Sequence, residues 1–109
     1  MSEIAKLASL SPGRRRLLKL MQRLNFGRIE HLAIQDGEPL FDPPPHLVRD
    51  VKFCGENGPR RELALEDFAL KAQVRDLFAH LDDLRTGTIL ALEVKHGLPF
   101  RMQVEEGTA

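Results

Sequence analysis

The sequence predicts an α+β fold: a duplicated α-β-β unit whose antiparallel sheet has two helices packed on one face. Three observations favour this class: an internal repeat of sixty residues, two amphipathic helical stripes, and strands with one apolar and one polar face. The repeat holds without a gap: Gly27, Ile29, Leu32, Gly37 and Pro39 recur as Gly87, Ile89, Leu92, Gly97 and Pro99. Such regular spacing indicates two copies of one unit, at 12–41 and 72–101, within a single domain of residues 1–109.

The first unit is predicted to begin with a helix. Ser11-Pro12 is a favourable helix start, with serine as the N-cap and proline at the first helical position. The apolar residues that follow fall on one stripe: Leu17, Leu18, Met21 and Leu24. Gly27 is suited to the left-handed conformation that closes a helix, so we expect the helix to end just before it.

A β-hairpin is predicted after this helix. Residues 28–35 form its first strand, and Asp36-Gly37 indicates a two-residue turn because both central positions of such a turn need positive φ. Pro39 opens the return strand, where its missing N–H is tolerated near an edge. Residues 42–45, one aspartate and three prolines, cannot join a strand ladder, so we expect the first unit to stop there.

The middle of the chain has no copy and is predicted to form an inserted hairpin at 46–65. Alternating residues from Leu47 to Phe53 favour a first strand, and 62–66 alternates as a short partner strand. Between them, residues 55–59 are rich in glycine, asparagine and proline, which is typical of a turn.

The second unit is predicted to repeat the first. Asp67 is expected to cap a helix whose apolar stripe consists of Val74, Leu77, Phe78, Leu81 and Leu84. Strands follow at 88–95 and 99–105, joined by a turn at His96-Gly97. Each strand has one apolar face, as a sheet covered on one side requires.

The two units together predict an antiparallel sheet of four to six strands. Ile29 and Ile89 are out of phase with Leu32 and Leu92 in their strands. This offset predicts either a β-bulge at that point or burial of both isoleucines on the far face of the sheet.

The helix end and hairpin of the first unit carry a resemblance to a known family, through Leu24, Phe26-Gly27, Ile29, Ile34 and Gln35-Asp36-Gly37. In these residues the chain resembles the YezF-like family, small uncharacterised bacterial proteins built from a helix, an aromatic-glycine step and a hairpin. The likeness covers residues 14–41 and, more weakly, 74–100. The chain departs from the family at Pro43 to Pro45 and in having a second unit. The family has no assigned activity, so the resemblance implies a fold and supplies no catalytic residue.

Charge and cysteine content narrow the classes of function. The 16 Lys/Arg balance 16 Asp/Glu, but residues 1–61 carry 11 basic and 7 acidic side chains, and residues 62–109 carry 5 and 9. A neutral total with opposite halves favours self-association over general attraction to nucleic acid or membrane. The single cysteine, Cys54, cannot form an internal disulfide, so we expect a cytoplasmic location. No secretory signal or membrane span is predicted.

A basic cluster on the first helix is the most suggestive chemical feature. Arg15, Lys19 and Arg23 recur at i, i+4 and i+8, and Arg60 and Arg61 follow in the middle segment. These five residues are candidate contacts to phosphate or to a partner. The alternative is a solvated face whose cations suit the end of a helix. At the three equivalent positions the second helix carries Arg75, Ala79 and Asp83, so the basic stripe as a whole is not part of the shared scaffold.

Catalytic and metal-binding patterns are not recognised in the sequence. The four histidines are scattered, and none pairs with another ligand at a metal-site spacing: His31, His46, His80 and His96. Cys54 precedes a glycine-rich segment with two arginines, which would activate a thiolate or hold an anion. The competing interpretation is a half-buried cysteine beside a hairpin turn. We therefore expect no enzyme, cofactor or metal.

These observations lead to three hypotheses on function. The first is a non-enzymatic interaction module that self-associates or binds a protein partner, with edge strands able to accept another strand. The second is a nucleic-acid-binding protein that uses the basic face of the first helix. The third is an enzyme or ligand-binding protein centred on Cys54. No membrane partner is expected.

Overall fold

The computed structural model describes residues 10–54 and 72–106 of the chain. These residues form two helices and five antiparallel strands, which confirms the predicted α+β class. In chain order the elements are α1 (Pro12–Leu24), β1 (Gly27–Gln35), β2 (Glu38–Leu40), β3 (His46–Arg49), α2 (Ala72–Leu84), β4 (Gly87–Lys95) and β5 (Leu98–Val104).

The sheet is built around the long central strands β1 and β4. On one side of them, β2 and β3 both pair with β1, and on the other side β5 pairs with β4. The register between β1 and β4 runs from Gly27 opposite Val94 to Ile34 opposite Gly87. No strand in the described ranges pairs with the outer edge of β5, so that edge is open within them.

The two halves of the described chain match in element bounds. α1 and α2, β1 and β4, and the starts of β2 and β5 each lie sixty residues apart. Gly37 N–H donates to Arg85 O at 2.8 Å. The equivalent bond with the two halves exchanged joins Gly97 N–H to Asn25 O at 3.0 Å. The halves thus hold each other by reciprocal bonds. Their origin by duplication remains a prediction.

Both helices bury their apolar stripes against one face of the sheet. The core contains fifteen buried apolar residues: Leu10, Leu17, Leu18, Met21, Leu24, Ile29, Leu32, Ile34, Val74, Leu77, Phe78, Leu81, Ile89, Leu92 and Val94. Because α1 and α2 contribute to this same cluster, the helices form one layer over the sheet. Their outer faces therefore lie side by side on one surface of the molecule.

Bulges bring the two out-of-phase isoleucines into this core. His31 has a positive φ of 58°, and Ile29 and Leu32 on either side of it are both fully buried. In the second half, the pairing of β4 with β5 shifts register between Ile89 and Ala91. An extra residue at each point restores the phase of the apolar residues. The bulge alternative of the prediction is confirmed, and burial on the far face is wrong.

The helix ends agree in part with the sequence prediction. Ser11 caps α1, its hydroxyl accepting a hydrogen bond from Arg14 N at 3.2 Å. The residue that closes α1 is Asn25, with φ of 65°, so the assignment of that role to Gly27 is wrong. Gly27 is required for a different reason: a Cβ there would lie 2.0 Å from Val48 O in β3. Asp67 lies outside the described residues.

The proline segment does not end the first unit. The return strand leaves β1 after Leu40, passes through residues 41–45, and resumes as β3 on the same edge of β1. The prolines form no strand hydrogen bonds, as expected, because they lack the backbone N–H. The five residues 41–45 nevertheless carry the chain past this stretch, so that β3 pairs with β1 again. Residues 42–45 lie in no strand, as predicted, and the strand predicted from Leu47 to Phe53 is observed as β3, His46–Arg49, paired with β1. The turn at 55–59 and the partner strand at 62–66 lie outside the described residues.

Candidate functional site

The basic face of α1 differs from its prediction at one residue. The exposed cations on its outer side are Arg16, Lys19 and Arg23, whereas Arg15 is half-buried with its Nε shielded from solvent. Arg16, Lys19 and Arg23 form no ion pair with a described carboxylate. Arg60 and Arg61, the other candidate contacts, lie outside the described residues.

A groove of about 320 Å³ runs along this basic face, between α1 and the segment that joins β2 to β3. Its cationic side is Arg16, Lys19 and Arg23, and its apolar lining includes Leu20, Phe41 and Leu47. The guanidinium carbon of Arg16 lies 4.4 Å from the centre of the Phe41 ring, a cation–π contact. The groove is therefore an apolar strip edged by positive charge. We call it the α1 groove.

A second groove, of about 360 Å³, lies between α2 and β5. Its lining includes Asp76, His80, Phe100, Met102 and Val104. Phe100 is 53% exposed, and Lys95 Nζ lies 4.0 Å from the centre of its ring, a cation–π contact. We call this the α2 groove.

The outer faces of the two helices differ in charge at equivalent positions. By the sixty-residue repeat, Arg16 is equivalent to Asp76, Lys19 to Ala79, and Arg23 to Asp83. All six side chains are exposed. At these positions α1 carries three cations and α2 two anions, while Arg75 of α2 and Arg101 in the lining of the α2 groove add positive charge on the α2 side.

Arg14, the first of the three consecutive arginines, has a structural role. Its side chain is 15% exposed, and its Nη2 donates to Asp82 Oδ1 at 2.5 Å and to Gly37 O at 2.9 Å. Its guanidinium carbon also lies 5.0 Å from the centre of the Phe78 ring. Arg14 therefore links α1 to the β1–β2 turn and to α2, and its positive charge is paired with Asp82 of the same chain.

Two ion pairs lie at sheet positions that alternate with the core, one within β1 and one between β4 and β5. A hydrogen bond from Arg28 Nε, at 2.6 Å, holds the pKa of Glu30 below its ordinary value, although partial burial acts the other way. A hydrogen bond from Arg101 Nε, at 2.9 Å, lowers the pKa of Glu93 in the same manner, with a smaller contribution from Gln103. Both carboxylates are thus kept in the charged form.

Two histidines and a glutamate come together where β3 begins. Glu30, His31 and His46 each offer a ligand atom, and these atoms all lie within 4.8 Å of one another. Glu30 and His46 are directly opposite in the β1–β3 register. Sequence reasoning missed this cluster because fifteen residues separate the two histidines, and only the return of the chain to β1 brings them together.

Cys54 is exposed and has a positive φ of 64°. The predicted half-buried position is therefore wrong, and the glycine-rich segment that follows it lies outside the described residues. Within the described ranges, neither helix is long and apolar enough to cross a membrane.

Comparisons of the chain with protein-family models, with curated proteins and with solved structures find no significant match. The resemblance to the YezF-like family therefore remains a prediction, and the site must be interpreted from its own geometry.

Proposed function

We propose that this protein is a non-enzymatic interaction module that self-associates, with the α1 face of one copy contacting the α2 face of another. One observation carries the proposal: equivalent exposed positions on the two helices have opposite charge. Arg16 and Arg23 on α1 correspond to Asp76 and Asp83 on α2. These positions are opposite in sign and follow the same helical spacing, so one face can be laid against the other with Arg16 and Arg23 each near an aspartate.

The arrangement of the helices supports a closed dimer. Because α1 and α2 lie in one layer, a twofold axis that lies in the plane of contact, between the two helices, brings α1 to α2 of the partner and α2 to α1 of the partner at once. Both contacts between an α1 face and an α2 face then form in one dimer, and each charged face is covered by the partner. A closed dimer is the common outcome for soluble oligomers of this kind.

Charge alone does not supply the affinity. Ion pairs between exposed side chains contribute only about 0.2–1 kcal/mol each. A few of them therefore fix the orientation of the partners and raise the association rate, but they do not by themselves hold a stable complex together. The grooves beside the charged faces add apolar area, including Leu47, which is 45% exposed, and Phe100. Burial of these side chains is the favourable term, at about 25 cal/mol for each Å² removed from water.

The experiment is sedimentation velocity on the untagged full chain across a range of protein and salt concentrations. We expect a concentration-dependent dimer of the 12.3 kDa chain that weakens with salt. The double substitution Arg16→Glu/Arg23→Glu should abolish it. A matched control, Arg49→Glu/Lys52→Glu, makes the same charge change at exposed positions away from both grooves and should leave the dimer intact. A wild-type monomer at high concentration would refute the proposal.

The second candidate function, nucleic-acid binding, is favoured by one observation. Arg16, Lys19 and Arg23 are exposed together and form no ion pair with a described carboxylate, which suits phosphate contacts. Substitution of Asp76 and Asp83 by lysine separates the two functions: it removes dimerisation but preserves or strengthens binding to nucleic acid. Fluorescence anisotropy with labelled single-stranded and duplex oligonucleotides at low salt measures this. No binding by the wild-type chain would eliminate the candidate.

The exposed thiol of Cys54 supports a cytoplasmic location for this module. In an oxidising compartment an exposed unpaired cysteine would cross-link copies through a disulfide, whereas the cytosol keeps it reduced.

A further inference from the structure

We propose that Glu30, His31 and His46 form a binding site for a divalent transition-metal ion of the zinc class. The proposal is independent of self-association because the cluster lies at the β1–β3 pairing and belongs to neither groove. Two imidazole nitrogens and one carboxylate oxygen are a donor set that zinc uses in proteins, with further positions open to water.

The distances suit closure around an ion. The three ligand atoms lie within 4.8 Å of one another. Zinc–nitrogen distances of about 2.0–2.1 Å require donors roughly 3.3 Å apart in a tetrahedral site. His31 and His46 are exposed and Glu30 is half-buried, so side-chain rotation alone can move the donors by the remaining distance.

The bulge at His31 is what makes the three donors converge. In a regular strand, residues 30 and 31 would point to opposite faces. The positive φ of 58° at His31 breaks that alternation and turns its side chain toward His46, whose ring centre is 5.7 Å away. Bulges of this type re-aim side chains, and positive φ in a non-glycine residue is a local strain that is often found at functional positions.

The equivalent point in the second half shows that the scaffold does not need these donors. Sixty residues along the chain, Leu90 and Ala91 stand in place of Glu30 and His31, and the sheet is irregular there too. The bulge therefore forms with apolar residues. His31 has a positive φ that Ala91 does not share, and Glu30 already pairs with Arg28 Nε at 2.6 Å, so a bound ion must share or displace that ion pair.

The proline segment places the third donor. His46 is the first residue of β3 and directly follows Pro45, the last of three consecutive prolines. Prolines restrict the backbone before binding, so less conformational freedom is lost when His46 becomes a ligand. Nitrogen donors select zinc and its neighbours such as cobalt, nickel and copper over magnesium or calcium, which prefer sites made only of oxygen.

Isothermal titration calorimetry of the untagged chain with Zn²⁺ tests the site. His31→Asn keeps a residue that tolerates positive φ, and His46→Gln changes an exposed side chain at the start of a strand, so both should fold. Each should weaken binding by about tenfold or more. The matched control is His96→Asn, because His96 is also exposed with a positive φ of 55° but lies in the β4–β5 turn.

The imidazole proton signals in NMR supply the second readout. We expect Zn²⁺ to shift the signals of His31 and His46 and to leave those of His80 and His96 in place. The proposal is overturned if the wild-type chain binds Zn²⁺ no more tightly than the His31→Asn/His46→Gln double variant. It is equally overturned if His96→Asn weakens binding as much as either ligand substitution.

Discussion

The contact between Gly27 and β3 yields a sharp prediction about stability. The substitution Gly27→Ala would place a Cβ 2.0 Å from Val48 O, well inside the closest approach that real contacts show. The obstructing atom is backbone, and it belongs to a strand paired with Gly27 itself, so no side-chain rotation relieves the overlap. Either β3 must leave its place on β1 or the turn after α1 must change.

The magnitude follows from two terms. Gly27 has φ of 149°, a conformation that costs a residue with a side chain about 1–3 kcal/mol. Displacement of β3 loses backbone hydrogen bonds worth about 1 kcal/mol each. We therefore expect a loss of about 3 kcal/mol in the free energy of unfolding. For a domain of this size, that corresponds to a fall in melting temperature of roughly 12–20 °C.

The matched control is the glycine sixty residues later. A Cβ at Gly87 would meet Leu84 Cδ1 at 3.0 Å, the end of a flexible side chain that can turn away. Gly87→Ala should therefore change stability by less than about 1 kcal/mol. Thermal and urea unfolding followed by circular dichroism measure both variants. Equal effects at the two glycines, or a loss below about 1 kcal/mol at Gly27, would refute the described packing of β3 on β1.

Further predictions concern the core, the buried arginine and a strand ion pair. Leu81 is 0% exposed, so Leu81→Ala should lower the free energy of urea unfolding by about 2–5 kcal/mol, whereas Leu90→Ala, at a 39% exposed position, should cost less than about 1 kcal/mol. Arg14→Ala should cost about 1–3 kcal/mol by the same measurement, because it leaves a turn carbonyl without its donor. Arg101→Gln should raise the pKa of Glu93 toward its ordinary value in a carbon-detected NMR titration. The stability from this pair is present above the ordinary pKa of glutamate and is lost as pH falls through the lowered value; an unchanged pKa of Glu93 in the variant would contradict the assignment.

Local sequence signals predicted most of the fold. Ser11 and the apolar stripe of α1 act through contacts within a few residues, so they can be recognised directly. The sixty-residue displacement also predicted a second helix that ends by Gly87 and a strand at 88–95, close to the observed α2 (Ala72–Leu84) and β4 (Gly87–Lys95). The phase error at Ile29 indicated either a bulge or burial on the far face, and the structure has the bulge, because burial demands that apolar residues share one face.

The features that the sequence did not predict depend on contacts between distant segments. The proline segment suggested a stop, since nothing local shows that β3 returns to β1. The need for glycine at position 27 arises from β3, because a Cβ there would lie 2.0 Å from Val48 O. The exposed α1 stripe begins at Arg16 and not Arg15 because packing sets the rotation of the helix about its axis.

The histidine cluster was missed for the same reason. Its members come from two strands, and their separation along the chain matches no metal-binding motif. A signal was nevertheless present: a polar residue, His31, stood at the one point in β1 where the alternation of apolar residues breaks.

The most direct test of self-association through the helix faces mixes two variants with reversed charge. Arg16→Glu/Arg23→Glu has two acidic helix faces, and Asp76→Lys/Asp83→Lys has two basic ones, so each should sediment alone as a 12.3 kDa monomer. Mixed in equal amounts, the two should form a heterodimer of twice that mass that dissociates as salt is raised. A mixture that contains only monomers, under conditions where the wild-type chain dimerises, would contradict contact between the α1 and α2 faces.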